Sequence, residues 1–336
     1  MSSTPLLTVS TSPHLMGRTS VRSMHLEIII ALMPAFLTGI YYFGGPGLMV
    51  VLLSVVAAVV TEALIYKLTK QPNKTGDLHA VLLGFIMGLI LPAGAPWWLP
   101  LVGGFLTVIL GKMIFGGLGG YPMNPVLVAW VALSLSWPEH MNAFYGPMPP
   151  GSDGSWEVSE TPLMQLKNDL GTLEAIELGD MWSGLVPGAI GATCTWALLL
   201  GGVYLVFRRI ISWRIPLGVL LGVVLMSLLA TYTDPAFVDD LGLEEFAQHW
   251  DVAMFQLAAG GVMFAAFFLA PEPVTSPMTP WGTILFGLGI GFMTVIVRCW
   301  GSLTDGAFYG VLLMNAATPL FDRIRPKVLG KVMSGD

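Results

Sequence analysis

Ten runs of mostly apolar residues, at 26–43, 46–66, 78–91, 98–115, 124–137, 185–207, 213–232, 252–270, 281–299 and 307–321, divide the chain into segments that water cannot comfortably surround. Several are too long and continuous for core helices of a water-soluble fold; a helix needs about 20 apolar residues to cross the hydrocarbon of a bilayer. Charge is scarce to match: 11% of the 336 residues are Asp, Glu, Lys or Arg, against roughly 25% in soluble domains. Such a chain lacks the polar groups to cover a folded surface, so lipid must cover part of it. Forty glycines and 24 prolines suit close helix packing and interrupted helices. The expected class is an all-α polytopic membrane protein of about ten transmembrane helices.

Basic residues set the orientation. Arg18 and Arg22 precede the first run, Lys67, Lys70 and Lys74 follow the second, and Lys112 ends the fourth. Arg208, Arg209 and Arg214 flank the turn between the sixth and seventh, and Arg323, Arg325, Lys327 and Lys331 follow the tenth. With ten passes all of these share one side, which the positive-inside rule makes cytoplasmic, with both termini inside. Lys167 and Arg298 fall on the other side, beside the acidic loops 139–180 and 234–251. The first 24 residues are polar and hold no signal-peptide core, so they are expected to be retained. No basic stripe points to nucleic acid.

The chain also looks doubled. Each half holds five runs, and a Gly-rich stretch precedes the last run of each, Gly116-Gly117-Leu118-Gly119-Gly120 and Gly301-Ser302-Leu303-Thr304-Asp305-Gly306. An odd number of passes per repeat inverts the second copy and places a site between the copies. The expected organisation is a cytoplasmic segment 1–25, a first five-helix repeat 26–137, a periplasmic loop 138–184, a second inverted repeat 185–321 and a cytoplasmic tail 322–336. The third, fifth and tenth runs are short for a full pass, as segments lining a site often are.

Few residues offer chemistry. Cys194 and Cys299 have no CxxC spacing and are too few to ligate an iron–sulfur cluster. His14, His25, His79, His140 and His249 are scattered, with no paired spacing for a metal or haem. Glu62 lies about one turn before Lys67 and is expected to pair with it near the interface; Asp77 and Asp305 are candidates for an ion path. Trp97 and Trp98 read as interfacial anchors. The stretch Gly184-Leu185-Val186-Pro187-Gly188-Ala189-Ile190-Gly191-Ala192-Thr193-Cys194-Thr195 feeds an apolar helix from the outer side. Its glycines let a ligand approach the backbone, and free amides at a helix start favour a phosphate. The alternative is a plain helix entry with Thr193 as its cap.

Gly191-Ala192-Thr193 resembles the end of the Ser/Thr-Gly-Ala-Thr motif on which flavin transferases attach FMN in the NqrB/RnfD family, the membrane subunits of the Rnf complex and of its sodium-pumping NADH:quinone relative. Ile190 departs from the usual Ser or Thr, and Thr195 is a fallback acceptor. Ser12-Pro13-His14 is similar to the family's N-terminal signature. Gly116 to Pro125 resembles its Gly-Leu-Gly…Asn-Pro loop, with Asn124 as the asparagine. Pro271-Glu272-Pro273-Val274-Thr275-Ser276-Pro277 resembles its Asp-Pro-Val-Thr loop, with Glu272 for Asp, and Asn315 to Arg323 its closing signature. The matches span residues 12–323 in family order, and the length suits the Rnf branch.

The resemblance implies a flavin-carrying subunit of a ferredoxin:NAD oxidoreductase in a bacterial inner membrane. It implies FMN on Thr193 and a second, non-covalent riboflavin near loops such as those of Asn124, Glu272 and Thr275. The implied partners are the other membrane and peripheral subunits, a flavin transferase and Na+ or H+. A five-plus-five secondary transporter would show much the same hydropathy but need no flavin, and a scaffold subunit would carry none of its own.

Overall fold

The computed structural model describes residues 20–70, 75–149, 156–167, 177–233 and 246–324, the side chains of 246–249 excepted. Ser12-Pro13-His14, Arg18, Lys74, Arg325, Lys327, Lys331, the His249 side chain and parts of both acidic loops lie outside these residues. Among the described residues the chain is helical and forms no strand, only isolated bridges such as Pro92 with Ala189.

α1 (Val21–Leu68) opens on Ser20, whose hydroxyl accepts from Ser23 N at 3.1 Å. A straight helix of 48 residues would be about 72 Å long. Yet His25, near its start, reaches the carbonyl of Asp77, just beyond its end, at 2.8 Å. The two arms therefore double back, and the break is Gly44, whose φ of 55° and ψ of −138° suit only glycine. The runs 26–43 and 46–66 are thus two passes.

α2 (His79–Ile90), α3 (Trp98–Val108) with a π turn over Ile109–Met113, and α4 (Pro125–Ser136) follow. The connection holds three short helices, α5 (Pro138–Met141), α6 (Pro162–Lys167) and α7 (Leu178–Ser183). Then come α8 (Thr195–Phe207), α9 (Arg214–Thr233) and α10 (Phe246–Ala258). α11 (Val262–Phe264) runs into a second π turn over Ala265–Leu269, and α12 (Pro280–Trp300) and α13 (Ala307–Phe321) complete the chain. α1, α9 and α12 are long and apolar enough to cross a membrane, and α10 with α11 does so across a 66° bend. α2, α3, α4, α8 and α13 are apolar but shorter. The sixth run departs from expectation: of 185–207 only Thr195–Phe207 is helical, because the preceding residues are pinned in a turn described below.

Glycines let several helices meet backbone to backbone, while many leucines, valines and aromatics face outward. A Cβ on Gly88 of α2 would lie 2.7 Å from Val51 Cα on the returning arm of α1. A Cβ on Gly104 of α3 would lie 2.6 Å from the Ser54 carbonyl of that arm, and one on Gly222 of α9 2.6 Å from the Leu288 carbonyl of α12. Backbones meet this closely only where side chains are absent, as in membrane helix pairs. Leu217, Leu221, Leu225 and Leu229, four apart on α9, are all exposed, the stripe a lipid-facing helix presents. Fold and packing are those of an all-α membrane protein.

The basic residues gather at one end, where Arg208 binds Glu27 and His25 meets Asp77. At the far end the two stray cations are consumed. Lys167 donates to the carbonyls of Gly301 and Leu303, both at 2.7 Å. Arg298 is held by Asp305 at 2.8 Å, by Gln256 and by the Ala259 carbonyl. The expected Glu62–Lys67 pair does not form. The returning arm turns Glu62 inward against the π turn of α3, where Lys112 binds it at 2.5 Å with both groups buried, while Lys67 is exposed.

Candidate functional site

Among the described residues, cavities lie at opposite ends of the helix bundle, and the sequence-predicted residues divide between them. The far-end cavity, of about 260 Å3, is lined by Thr193 and Ala192, by Gly188, by the Gly260-Gly261 break between α10 and α11, and by Asp305 and Tyr309. The Gly191-Ala192-Thr193 stretch is positioned by the end of α2. Ile190 N donates to Leu91 O at 3.2 Å, Gly191 N to Leu89 O at 2.7 Å, and Ala192 N back to Ala189 O at 3.0 Å. Gly191 must be glycine, since a Cβ there would sit 2.7 Å from Leu89 Cβ. Ile190 is fully buried and packs on Gly39 of α1, so the position where the family pattern carries Ser or Thr serves here as an apolar peg.

Thr193 is neither exposed nor a helix cap. It is 4% exposed, and the cap position of α8 belongs to Cys194, whose side chain makes no capping bond. The Thr193 hydroxyl is buried on the cavity wall with no hydrogen-bond partner among the described residues. Other buried threonines are satisfied locally: Thr107, Thr283 and Thr294 each donate to a carbonyl within their own turn. An unmade hydrogen bond costs about 1–3 kcal/mol in a buried setting, so the Thr193 hydroxyl is an unsatisfied polar group in a residue of this cavity wall. Thr195, the fallback acceptor, is placed differently. It is 1% exposed, does not line the cavity and donates to Met181 O at 3.2 Å. Asp305, expected as an ion-path candidate, is committed to Arg298 and to the amide of Gly261 at 2.6 Å.

The basic-end cavity, of about 160 Å3, is lined by Asn124, Tyr121 and Glu272 together with His25 and His79. Asn124 caps α4, accepting from Val126 N at 3.0 Å, while its amide donates to Leu269 O at 3.3 Å and ties the two halves of the chain together. Glu272 accepts from Tyr121 Oη at 2.6 Å and from Thr275. Burial pushes the Glu272 carboxyl up to about 7, against the two hydrogen bonds. Burial, with the Glu272 carboxylate beside it, pushes the Tyr121 phenol up as well, which keeps it a donor. Thr275 does not line the cavity: it is 2% exposed, and its carbonyl accepts from Thr318 at 2.9 Å. Its place is inside the loop that holds Glu272.

Sequence reasoning brought Asn124 and Glu272 together but missed Tyr121, His25 and His79. The two histidines, 54 positions apart in sequence, pack as tilted rings with centroids 4.8 Å apart, and only the doubling back of α1 brings them together. The imidazole of His79, itself 3% exposed, contacts Tyr121 Oη through Nε2 at 3.3 Å, and its Nδ1 has no partner among the described residues. Tyr121 directly follows the Gly-rich stretch that precedes α4, so its placement was the recoverable part.

Residues 8–330 match a family model described as the NQR2, RnfD, RnfE family. The D-type subunit of a Na(+)-translocating ferredoxin:NAD(+) oxidoreductase complex from Acetobacterium woodii is 38% identical over 321 residues, covering 94% of this chain and 93% of its own. The D-type subunit of an ion-translocating oxidoreductase complex from Stutzerimonas stutzeri is 34% identical, covering 95% of each chain. Its counterpart in a proton-translocating ferredoxin:NAD(+) oxidoreductase complex from Clostridium ljungdahlii is 32% identical, covering 96% of each.

Proposed function

Because the chain belongs to the NQR2, RnfD, RnfE family, we propose that it is the D-type membrane subunit of an ion-translocating ferredoxin:NAD oxidoreductase complex and carries FMN as a phosphoester on Thr193. The observation that carries this reading is the unpartnered, buried Thr193 hydroxyl on the wall of the far-end cavity. Gly188 and Ala192, on the cavity wall, keep the adjoining backbone bare enough for a phosphate to approach, while Gly191 packs against Leu89 and holds the turn in place. The flavin supplies the redox chemistry; the chain supplies position and a water-poor setting. The basic-end cavity, with Asn124 and Glu272 on its wall, is the place for a non-covalent riboflavin.

The basic end faces the cytoplasm and the far end the periplasm, in a bacterial inner membrane. The chain has no nucleotide-binding fingerprint, so ferredoxin and NAD react on partner subunits, and the coupling ion is Na+ or H+. Residues Thr161 to Met164 also line the cavity, so a flavin transferase has to reach Thr193 past them.

In-gel fluorescence of the denatured subunit, after co-expression with a flavin transferase, tests the attachment. Wild type and Thr195→Val should both fluoresce, and Thr193→Val should not. A band that survives Thr193→Val removes the assignment, and no band in any form favours a transporter or scaffold on the same helices.

A further inference from the structure

At the basic end, titratable groups from four segments form one connected line. His25 donates from Nδ1 to the Asp77 carbonyl at 2.8 Å, which fixes its ring, and its ring packs at a tilt against His79. His79 Nε2 contacts Tyr121 Oη at 3.3 Å, and Tyr121 donates to Glu272 Oε1 at 2.6 Å. Since the Tyr121 hydrogen goes to Glu272, the contact with His79 is satisfied when Nε2 carries the imidazole hydrogen and Nδ1 is the bare acceptor. That Nδ1 is the atom without a partner among the described residues, on a side chain buried at the wall of the basic-end cavity. A buried acceptor left open beside a cavity, backed by a tyrosine and a carboxylate, has the geometry of a general base with its proton store.

We propose that His79, Tyr121 and Glu272 form a proton relay ending in this cavity, with His79 Nδ1 accepting the proton of a ring N–H on a planar heteroaromatic ligand. The proposal rests on the reading that a flavin-type ring binds there. The hops balance as follows: the ligand N–H bond breaks and an N–H bond forms at His79 Nδ1, the Nε2 proton passes to Tyr121 Oη, and the Tyr121 proton passes to Glu272 Oε1. The ligand loses one proton, Glu272 gains one, and the histidine and tyrosine return to their starting charge. The reverse sequence delivers a proton to the ligand. Outside the three relay residues, the charged or titratable groups facing them are His25, Asp77, whose carboxylate accepts from His79 N, and Lys112, whose charge acts on His79 through space while it pairs with Glu62.

The test is infrared difference spectroscopy of the intact complex on reduction with dithionite, with Glu272→Gln assigning the carboxyl band. Non-covalent flavin is counted by acid precipitation of the same samples. In wild type, reduction should change the Glu272 band. In Tyr121→Phe and His79→Phe the change should be lost while the non-covalent flavin stays bound. An unchanged band shift in Tyr121→Phe, with flavin present, overturns the relay. If wild type releases no non-covalent flavin, the ligand reading fails separately. The relay then stands or falls on a pH titration of the Glu272 band without ligand: displacement of its midpoint in both His79→Phe and Tyr121→Phe supports it, and an unmoved midpoint in either overturns it.

Discussion

Thr193 and Thr195 lie two positions apart, yet one hydroxyl faces a cavity without a partner and the other is spent on Met181. Sequence placed both as acceptors, since residue type and spacing carry no information on which way a turn points a hydroxyl. Ile190 was legible as a departure from the family pattern, and its reason only in the fold, where it fills space against α1. Replacing Ile190 by Thr should cost about 2 kcal/mol or more, from lost packing plus a buried hydroxyl, read as a lower unfolding midpoint in detergent. Glu272 adds a pH dependence. Its carboxyl is raised from 4.5 to about 7 in the folded protein, so the folded state binds the extra proton. The associated stability is present below about pH 4.5 and is lost as pH rises through about 7. Thermal midpoints of wild type should fall over that window relative to Glu272→Gln, and parallel pH profiles of the two proteins would refute the assignment.

At the scale of elements, apolar runs marked every described helix except the three short ones of the connection, α5, α6 and α7, because hydrocarbon demands long unbroken segments whatever their partners. What they did not mark was where a helix stops short. The sixth run reads as apolar from residue 185, but backbone pairing of Ile190 and Gly191 with the end of α2 keeps the helix from starting before Thr195. The α9–α12 contact is set by Gly218 and Gly222 meeting Gly287 and Gly291, where backbone atoms approach each other directly. Gly222→Leu should force the two helices apart and abolish assembly of the subunit into the complex, whereas Leu221→Ala on the exposed stripe should leave it intact. Size-exclusion profiles of the solubilised complex distinguish the two. Arg298, out of place by the positive-inside pattern, is explained by its buried network. Arg298→Met strands Asp305 and should cost on the order of 3–5 kcal/mol, seen as reduced yield and an early unfolding midpoint.

Over the whole molecule, the clustering of described lysines and arginines at one end was legible in the sequence, and the strays Lys167 and Arg298 are bound by carbonyls or a carboxylate. The partition into cavities at both ends was legible only in outline. Threonine at one end and the asparagine and glutamate loops at the other were expected apart, while the histidine pair depended on how far α1 folds back. The bundle carries an unpartnered hydroxyl at its far end and a hydrogen-bonded histidine–tyrosine–glutamate cluster at its basic end, and the proposed function puts a redox group at each. Peptide mass spectrometry of the complex from native membranes examines the first of these directly. The peptide containing residues 184–195 should be heavier by FMN less one water, with fragment ions placing the added mass on Thr193. Recovery of that peptide unmodified, from a complex whose D-type subunit still carries covalent flavin elsewhere, would contradict it.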